Sequence, residues 1–476
     1  MRRHWSGHRL PRIPGGTRLA GDLEILTSRP AAARALNWVR DERPDMVEMR
    51  LGTRRVTLVP GARLAGELCD PKRFTKALAP GMVELRQYAG DGLFTAYSDE
   101  PNWQLAHDIL MPAFSKRAMI DYHDIMVGAV EQLCDRWQSS DGPVDVTHDT
   151  AKLTLETIGR AAFSYEFGSF DSDERHPMVA ALLRALYTSG QKTKLGSVPG
   201  GRVLGPWYDL RNREHQRYAD DLLDELIGRR DGLGAAEGCG DILDLMLSTR
   251  HPSTGESLSQ RNIRYQILTF LVAGYETTAS AISFALYYLA QHPDVLERVR
   301  AEIDDVIGAD AAPTFDQVPR LRYLRRVLDE TLRLWPAAPT MARTAVRDTV
   351  LTETTAPGGY TMRPGDVAVV VLPLTHRDPD VWGEDADVFD PDRWLPDRSK
   401  GRMPHAYKPF GTGERACIGR QFALHETMIA LAQIVRRFDL EPEPGYELDI
   451  TTRMSLAPRR FRLDVATRER SPVAAR

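Results

Sequence analysis

Cysteine is scarce here and never paired. Cys69, Cys134, Cys239 and Cys417 are the only four in 476 residues and no C-x-x-C occurs, which excludes a thiolate zinc cluster and a disulfide scaffold. With no secretory pattern, that usage points to a reducing cytoplasm. An excess of either charge is also lacking. The 62 Lys and Arg against 66 Asp and Glu leave a formal charge of −4, which excludes nucleic-acid binding as a property of the whole surface. The first eleven residues are basic but have no apolar core, so neither a signal peptide nor a membrane anchor is expected. The one long apolar run, Ile267 to Ala290, carries Glu276 and two threonines at its middle; a buried helix explains it better than a membrane span. Nothing resembling a linker divides the chain, and 42% hydrophobic with 27% charged residues is ordinary for a soluble globular protein.

What is present centres on Phe410-Gly-Thr-Gly-Glu-Arg-Ala-Cys417-Ile-Gly419, followed by the helical run Arg420 to Glu426. A cysteine behind a glycine-rich loop and just before a helix sits where free backbone N–H groups and the helix dipole favour a thiolate. Zinc would need more thiolates or histidines nearby. A haem iron needs one, because the porphyrin already supplies four nitrogens.

Phe410, Gly411, Gly413, Arg415, Cys417 and Gly419 resemble, without a gap, the haem-binding signature of the cytochrome P450 superfamily. The resemblance implies haem b with the Cys417 thiolate as axial ligand. Gly411 and Gly413 would let the loop turn tightly, and Gly419 would keep a side chain off the porphyrin. Phe410 would shield the sulfur, and Arg415 would pair with a propionate. Trp103 and His107, four apart on one helical face, would by resemblance reach the propionates as well.

A second motif lies in a helix expected over Arg261 to Gln291. Ala273-Gly274-Tyr275-Glu276-Thr277 resembles the superfamily's oxygen-activation motif, and a glycine beside hydroxyl residues leads us to expect a local break in the helix. Reduction of O2 consumes protons; Thr277 and Glu276 are the residue types that deliver them. Glu330-Thr-Leu-Arg333 resembles the E-x-x-R motif, completed by Arg393, and implies a buried charge cluster that holds the cysteine loop.

The chain read in order implies a mainly α fold with small β-sheets, a single haem domain over residues 22–466, an irregular segment 1–21 before it and a polar tail 467–476. Expected elements include a helix from Asp22 to Arg43, a hairpin around Gly52-Thr53 forming one small sheet, a second sheet within Thr349–Leu374, and a closing hairpin of Gly445–Ile450 with Phe461–Val465. The glycine-rich stretch Leu195–Gly205 is a lid candidate and equally an inert loop. Within the superfamily the chain most resembles the haem domain of bacterial fatty-acid hydroxylases fused to a diflavin reductase. By position in that fold, Tyr88, Phe94, Ala273, Ala338, Met341 and Met454 would line the substrate pocket. Arg54 and Arg55 would supply a carboxylate anchor whose tyrosine is replaced by Leu58 or Val59.

The implied activity is a monooxygenase acting with O2 on a fatty-acid-like or specialised metabolite. Electrons would come from a separate ferredoxin, flavodoxin or diflavin reductase, docking where Lys408, Arg415 and Arg420 offer positive charge. Two alternatives stand beside it: an atypical haem-thiolate reaction such as ring closure, nitrogen-group transfer or peroxide-driven oxidation, and a haem sensor or carrier that does not catalyse.

Overall fold

The computed structural model describes residues 10–14, 22, 29–51, 54–197, 200–230, 240–308, 312–452 and 455–468. Helices dominate, and their apolar faces form one large core. Its axis is the helix Gln260–Gln291, capped by the Ser259 hydroxyl, which accepts from the Asn262 N–H. By length and composition this is the one described helix that could cross a membrane, but 67% of its most apolar stretch is buried inside the protein. The helix Val146–Phe163 packs most extensively against it, and the helix Arg420–Arg437 lies against it as well.

The expected break at Ala273–Thr277 is absent: the helix runs unbroken through the motif. Two threonine hydroxyls join its ladder instead. Thr277 donates to the Ala273 carbonyl at 2.6 Å and Thr154 donates to the Tyr275 carbonyl at 2.7 Å. Gly274 has a different purpose from the one expected. A Cβ there would come within 3.2 Å of Ile158, so glycine lets the two helices approach closely.

Twelve strands occur in the described residues: β1 (Val47–Leu51), β2 (Arg54–Val59), β3 (Phe74–Lys76), β4 (Val144–Asp145), β5 (Thr340–Ala345), β6 (Thr349–Leu351), β7 (Tyr360–Met362), β8 (Ala368–Val371), β9 (Phe438–Pro442), β10 (Ile450–Thr452), β11 (Leu456–Pro458) and β12 (Arg462–Thr467). The β1–β2 hairpin forms as expected, with Met49 opposite Val56. The second sheet expected within Thr349–Leu374 forms, but from β6 and β7 alone. β8 pairs in parallel with β2 and antiparallel with β5, giving one five-stranded sheet in the order β1-β2-β8-β5-β3, while β6 and β7 pair only with each other. Ala368, Val369 and Val370 of β8 are all buried, as befits an interior strand with both faces covered.

The closing hairpin is also corrected. β10 pairs with β11, while β12 lies between β9 and β4. β10 takes β11 as its antiparallel partner, with Thr452 opposite Leu456, so Phe461–Val465 is left to β9, the strand that follows the cysteine helix. At the N-terminus, Leu10 and Ile13 are buried and Arg12 bridges to Glu48 of β1. That part of the expected irregular segment is packed onto the sheet. The first helix spans Arg29–Glu42, and the tail beyond Arg468 lies outside the described residues.

Candidate functional site

The cysteine loop turns on two left-handed glycines, Gly411 at φ 70° and Gly413 at φ 67°, a conformation costly for residues with a Cβ. The Cys417 N–H donates to the Phe410 carbonyl at 2.8 Å, closing the loop, and the Gly419 N–H is directed at the sulfur. Protein mass around Cys417 raises its thiol pKa, opposed by that N–H and by Arg420. The residue is nevertheless solvent-accessible. Encased yet accessible is what the wall of a deep cleft produces. At Gly419 φ is −83° and a Cβ would only touch Phe114 at 3.7 Å. The protein alone would tolerate a side chain there, so the need for glycine comes from whatever fills the cleft.

Arg415 turns inward. Its guanidinium lies 4.2 Å from the Trp103 ring centroid, Trp103 stacks on His107 at 5.1 Å, and Arg415 Nη2 donates to the Ala96 carbonyl. Nη1 is buried without a hydrogen-bond partner. Close by are two cations that the sequence does not flag, Lys76 on β3 and Arg343 on β5, directly opposite each other in the antiparallel ladder. Like charges facing each other across strands are destabilising. Burial is the larger force on Lys76, and Arg415, Arg343 and Arg86 add to it, lowering its pKa to about 6. Glu100 is the acid nearest this group, but Arg86 engages both its oxygens, at 2.5 and 2.9 Å.

Three basic side chains, Arg343 buried and Lys76 and Arg415 half-buried, one carrying an orphaned N–H, form a cradle for carboxylates brought by a ligand. Haem carries two such groups. The residues therefore fit haem: Cys417 on the iron side, with Arg415, Lys76 and Arg343 positioned for propionates beside Trp103 and His107. Among the described residues no cluster of three His, Cys, Asp or Glu side chains could hold a metal ion, so the single thiolate has no competitor as a metal site.

The loop is held from behind by the charge cluster. Glu330 and Arg333 are fully buried, and Arg333 donates Nε and Nη2 to the two Glu330 oxygens at 2.8 Å each. Arg393 Nε reaches Glu330 at 3.3 Å and Trp394 Nε1 at 3.0 Å. A further link is His376. Its Nδ1–H donates to the Arg333 carbonyl at 3.2 Å, and its Nε2 accepts from the Lys408 N–H at 3.1 Å. Those two bonds require the neutral ring, and burial, aided by Lys408 and Arg333, lowers its pKa to about 3. A continuous bridge thus runs from the E-x-x-R helix (Arg322–Leu334) into the loop that ends at Cys417.

Thr277 and Glu276, the residues expected to deliver protons, are half-buried. The Glu276 carboxylate accepts from the Ser455 hydroxyl at 2.9 Å, which ties it to the start of β11. Tyr275 faces away, buried in the main core. A cavity of about 290 Å³ opens among the helices Pro80–Ala89, Pro177–Leu195, Gly205–Gly228 and the central helix, and Tyr88 and Phe94 line it. Lys76 Nζ donates to the Phe94 carbonyl, so this cavity adjoins the cation cradle. Ala273 is half-buried and Ala338 exposed, and neither lines the cavity. Met341 belongs instead to the core beneath the five-stranded sheet, because alternation along β5 turns it inward. Met454 and the side chain of Arg54 lie outside the described residues. Arg55 is paired with Glu48 at 3.3 Å; Leu58 is half-buried and Val59 fully buried.

The expected docking surface is also corrected. Lys408 is 3% exposed, its Nζ 3.4 Å from the Ala65 carbonyl, and Arg415 is committed to the cradle. Of the three cations only Arg420 is exposed.

A cysteine at the end of a tight loop, a basic cradle and an acid–alcohol pair on the central helix are the features of a haem-thiolate protein. The chain belongs to the cytochrome P450 family, whose profile matches residues 14–465. It is 41% identical over 418 residues to the bifunctional cytochrome P450/NADPH–P450 reductase 2 of Bacillus subtilis, an alignment covering 87% of this chain and 38% of that protein. A bifunctional cytochrome P450/NADPH–P450 reductase of Bacillus cereus is 39% identical over 421 residues, again 87% and 38%. A self-sufficient cytochrome P450 monooxygenase of Phanerodontia chrysosporium is 34% identical over 449 residues, 93% of this chain and 41% of that protein. The chain thus spans about two fifths of the length of these relatives. The family's cofactor is haem with a cysteine thiolate as axial ligand.

Proposed function

We propose that this chain is a haem-thiolate monooxygenase that inserts one atom of O2 into an apolar or aromatic substrate held in the Tyr88–Phe94 cavity. The observation that carries the reading is the basic pair Lys76 and Arg343 with Arg415, a cradle suited to an anionic ligand, together with the accessible Cys417. Haem bound there supplies the iron that activates O2. The protein's own residues do the rest. Cys417 donates its thiolate, moderated by the Gly419 N–H. Phe94 and the apolar cavity wall exclude water and orient the substrate. Thr277 and Glu276 deliver protons, with Ser455 holding the Glu276 carboxylate in place.

Electrons come in this reading from a ferredoxin, flavodoxin or diflavin reductase. The bifunctional names of the Bacillus relatives support a diflavin donor, and the exposed Arg420 supports docking near the cysteine loop. Cys69 and Cys134, which form no disulfide, suit a reducing cytoplasm.

The test is reconstitution of the holoprotein with a diflavin reductase and a panel of fatty acids, alcohols and aromatic or terpenoid compounds. Oxygenated product is expected with wild type. Thr277→Ala should keep consuming reductant while product falls, by on the order of tenfold to a hundredfold, with peroxide appearing in its place. Full coupling in that variant would remove the role assigned to Thr277, and absence of oxygenated product from every substrate would refute the monooxygenase reading.

A further inference from the structure

The cavity is not uniformly apolar. Leu85, Leu182, Leu186, Leu268 and Val272 make its walls and Phe94 marks the end beside the cation cradle, but Tyr88 and Asn212 line it too. Asn212 sits on the helix Gly205–Gly228, 1% exposed. Its Nδ2 donates to the Tyr88 hydroxyl at 2.9 Å, and its Oδ1 is buried with no hydrogen-bond partner. Buried polar groups are hydrogen-bonded as a rule, so an orphaned amide oxygen in a cavity wall marks a missing partner.

Two features define that partner. The Tyr88 oxygen accepts from Asn212 and also lies within hydrogen-bonding reach of the Thr188 and Gln87 side chains; burial raises its pKa, so the phenol stays neutral. The Asn212 oxygen is thus a free acceptor beside a neutral phenol, and its complement is a group that donates, such as a hydroxyl. The charged groups nearby are engaged. Asp209, whose field reaches Tyr88, is bound by Lys192 at 3.0 Å, and Lys192 also donates to Gln87. At the rim, Arg264 pairs with Asp220 and Asp224, and Arg261 donates to the Tyr265 hydroxyl. His215 and Gln216 complete the polar rim. A carboxylate, which only accepts, would meet the Asn212 oxygen and the field of Asp209.

We propose that Asn212 and Tyr88 are the specificity-determining pair of this cavity, holding the neutral hydroxyl of a long apolar alcohol whose other end points toward Phe94. The inference rests on the monooxygenase reading of the same cavity. It assigns the substrate to the neutral alcohols and away from the free fatty acids.

Dodecan-1-ol, dodecanoic acid and dodecane, titrated calorimetrically and by the Soret shift into the holoprotein, test it. The alcohol is expected to bind at least about tenfold more tightly than the acid. Asn212→Leu, similar in volume, should weaken the alcohol by about tenfold and leave dodecane unchanged. Tyr88→Phe should also weaken the alcohol selectively. Equal binding of acid and alcohol by wild type would overturn the proposal. So would parallel loss of alcohol and dodecane in both variants. If no probe binds while the carbon monoxide spectrum is that of a thiolate-ligated haem, the alcohol site fails and the haem-thiolate reading stands. A wild type without that spectrum would sink the underlying reading instead.

Discussion

Glu330→Gln isolates the charge cluster behind the cysteine loop. The two Glu330 oxygens receive five donors: Arg333 Nε and Nη2, Arg393 Nε, Trp394 Nε1 and the Asp390 N–H. Glutamine keeps the shape, but its amide nitrogen would face donors whichever way it is turned. Both arginines would lose their buried counter-charge, and Arg333 is fully buried. Breaking one side of a buried ion pair costs about 3–5 kcal/mol, a large share of a typical total of about 5–15 kcal/mol. For a chain of this length the unfolding entropy converts that to a fall of about 3–5 °C in Tm. The assay is thermal unfolding of the holoprotein, followed by the Soret band and far-ultraviolet circular dichroism. Glu225→Gln is the control, since its i,i+4 pair with Arg229 is exposed and worth only tenths of a kcal/mol. If the two variants melt within about 1 °C of each other, the cluster is not the brace described.

Removing Lys76 should act in opposite directions on the two forms of the protein. Lys76→Met removes an amine whose charged form burial and its basic neighbours disfavour and raises the Tm of the apoprotein, yet it speeds haem loss from the holoprotein by about tenfold, measured by transfer to apomyoglobin. Parallel changes in both forms would refute the cradle. His376 sets an acid limit. Its pKa falls from 6.5 in the unfolded chain to about 3 in the fold, so the folded state holds fewer protons between those values. Its stabilisation is complete above pH 6.5 and is lost as pH falls toward 3, at up to about 1.4 kcal/mol per pH unit. The stability difference between wild type and His376→Gln should therefore shrink as pH is lowered from 6.5 to 5; a constant difference would contradict the neutral-ring bridge.

Local motifs were legible in the sequence because each is a short run whose chemistry depends on neighbours in the chain. The Phe410–Gly419 loop and the acid–alcohol pair are of that kind, and so is the β1–β2 hairpin. What escaped depends on register between distant segments. Lys76 and Arg343 lie in unremarkable tripeptides until β3 pairs with β5. Asn212 reads as one more polar residue in a charged helix, and only packing buries it against the cavity. Met341 was placed by its position in the resembled fold, but strand alternation along β5 turns it into the core beneath the sheet. Gly274 was read for what it does to its own helix, whereas its reason is Ile158 on another. The uninterrupted apolar run of β8 hid its role in the same way, since lack of alternation names a buried strand without naming its partners.

The most direct test of the central claim is the reduced carbon monoxide difference spectrum of wild type, Cys417→Ala and, as control, Cys134→Ala. Cys134 is fully buried in the main core and its thiol pKa is raised to about 12, so it cannot serve as the ligand. Wild type and Cys134→Ala are expected to show the red-shifted band of a thiolate-ligated haem, and Cys417→Ala is expected to lose it. A band that survives in Cys417→Ala would contradict the assignment of the ligand and, with it, the site built around it.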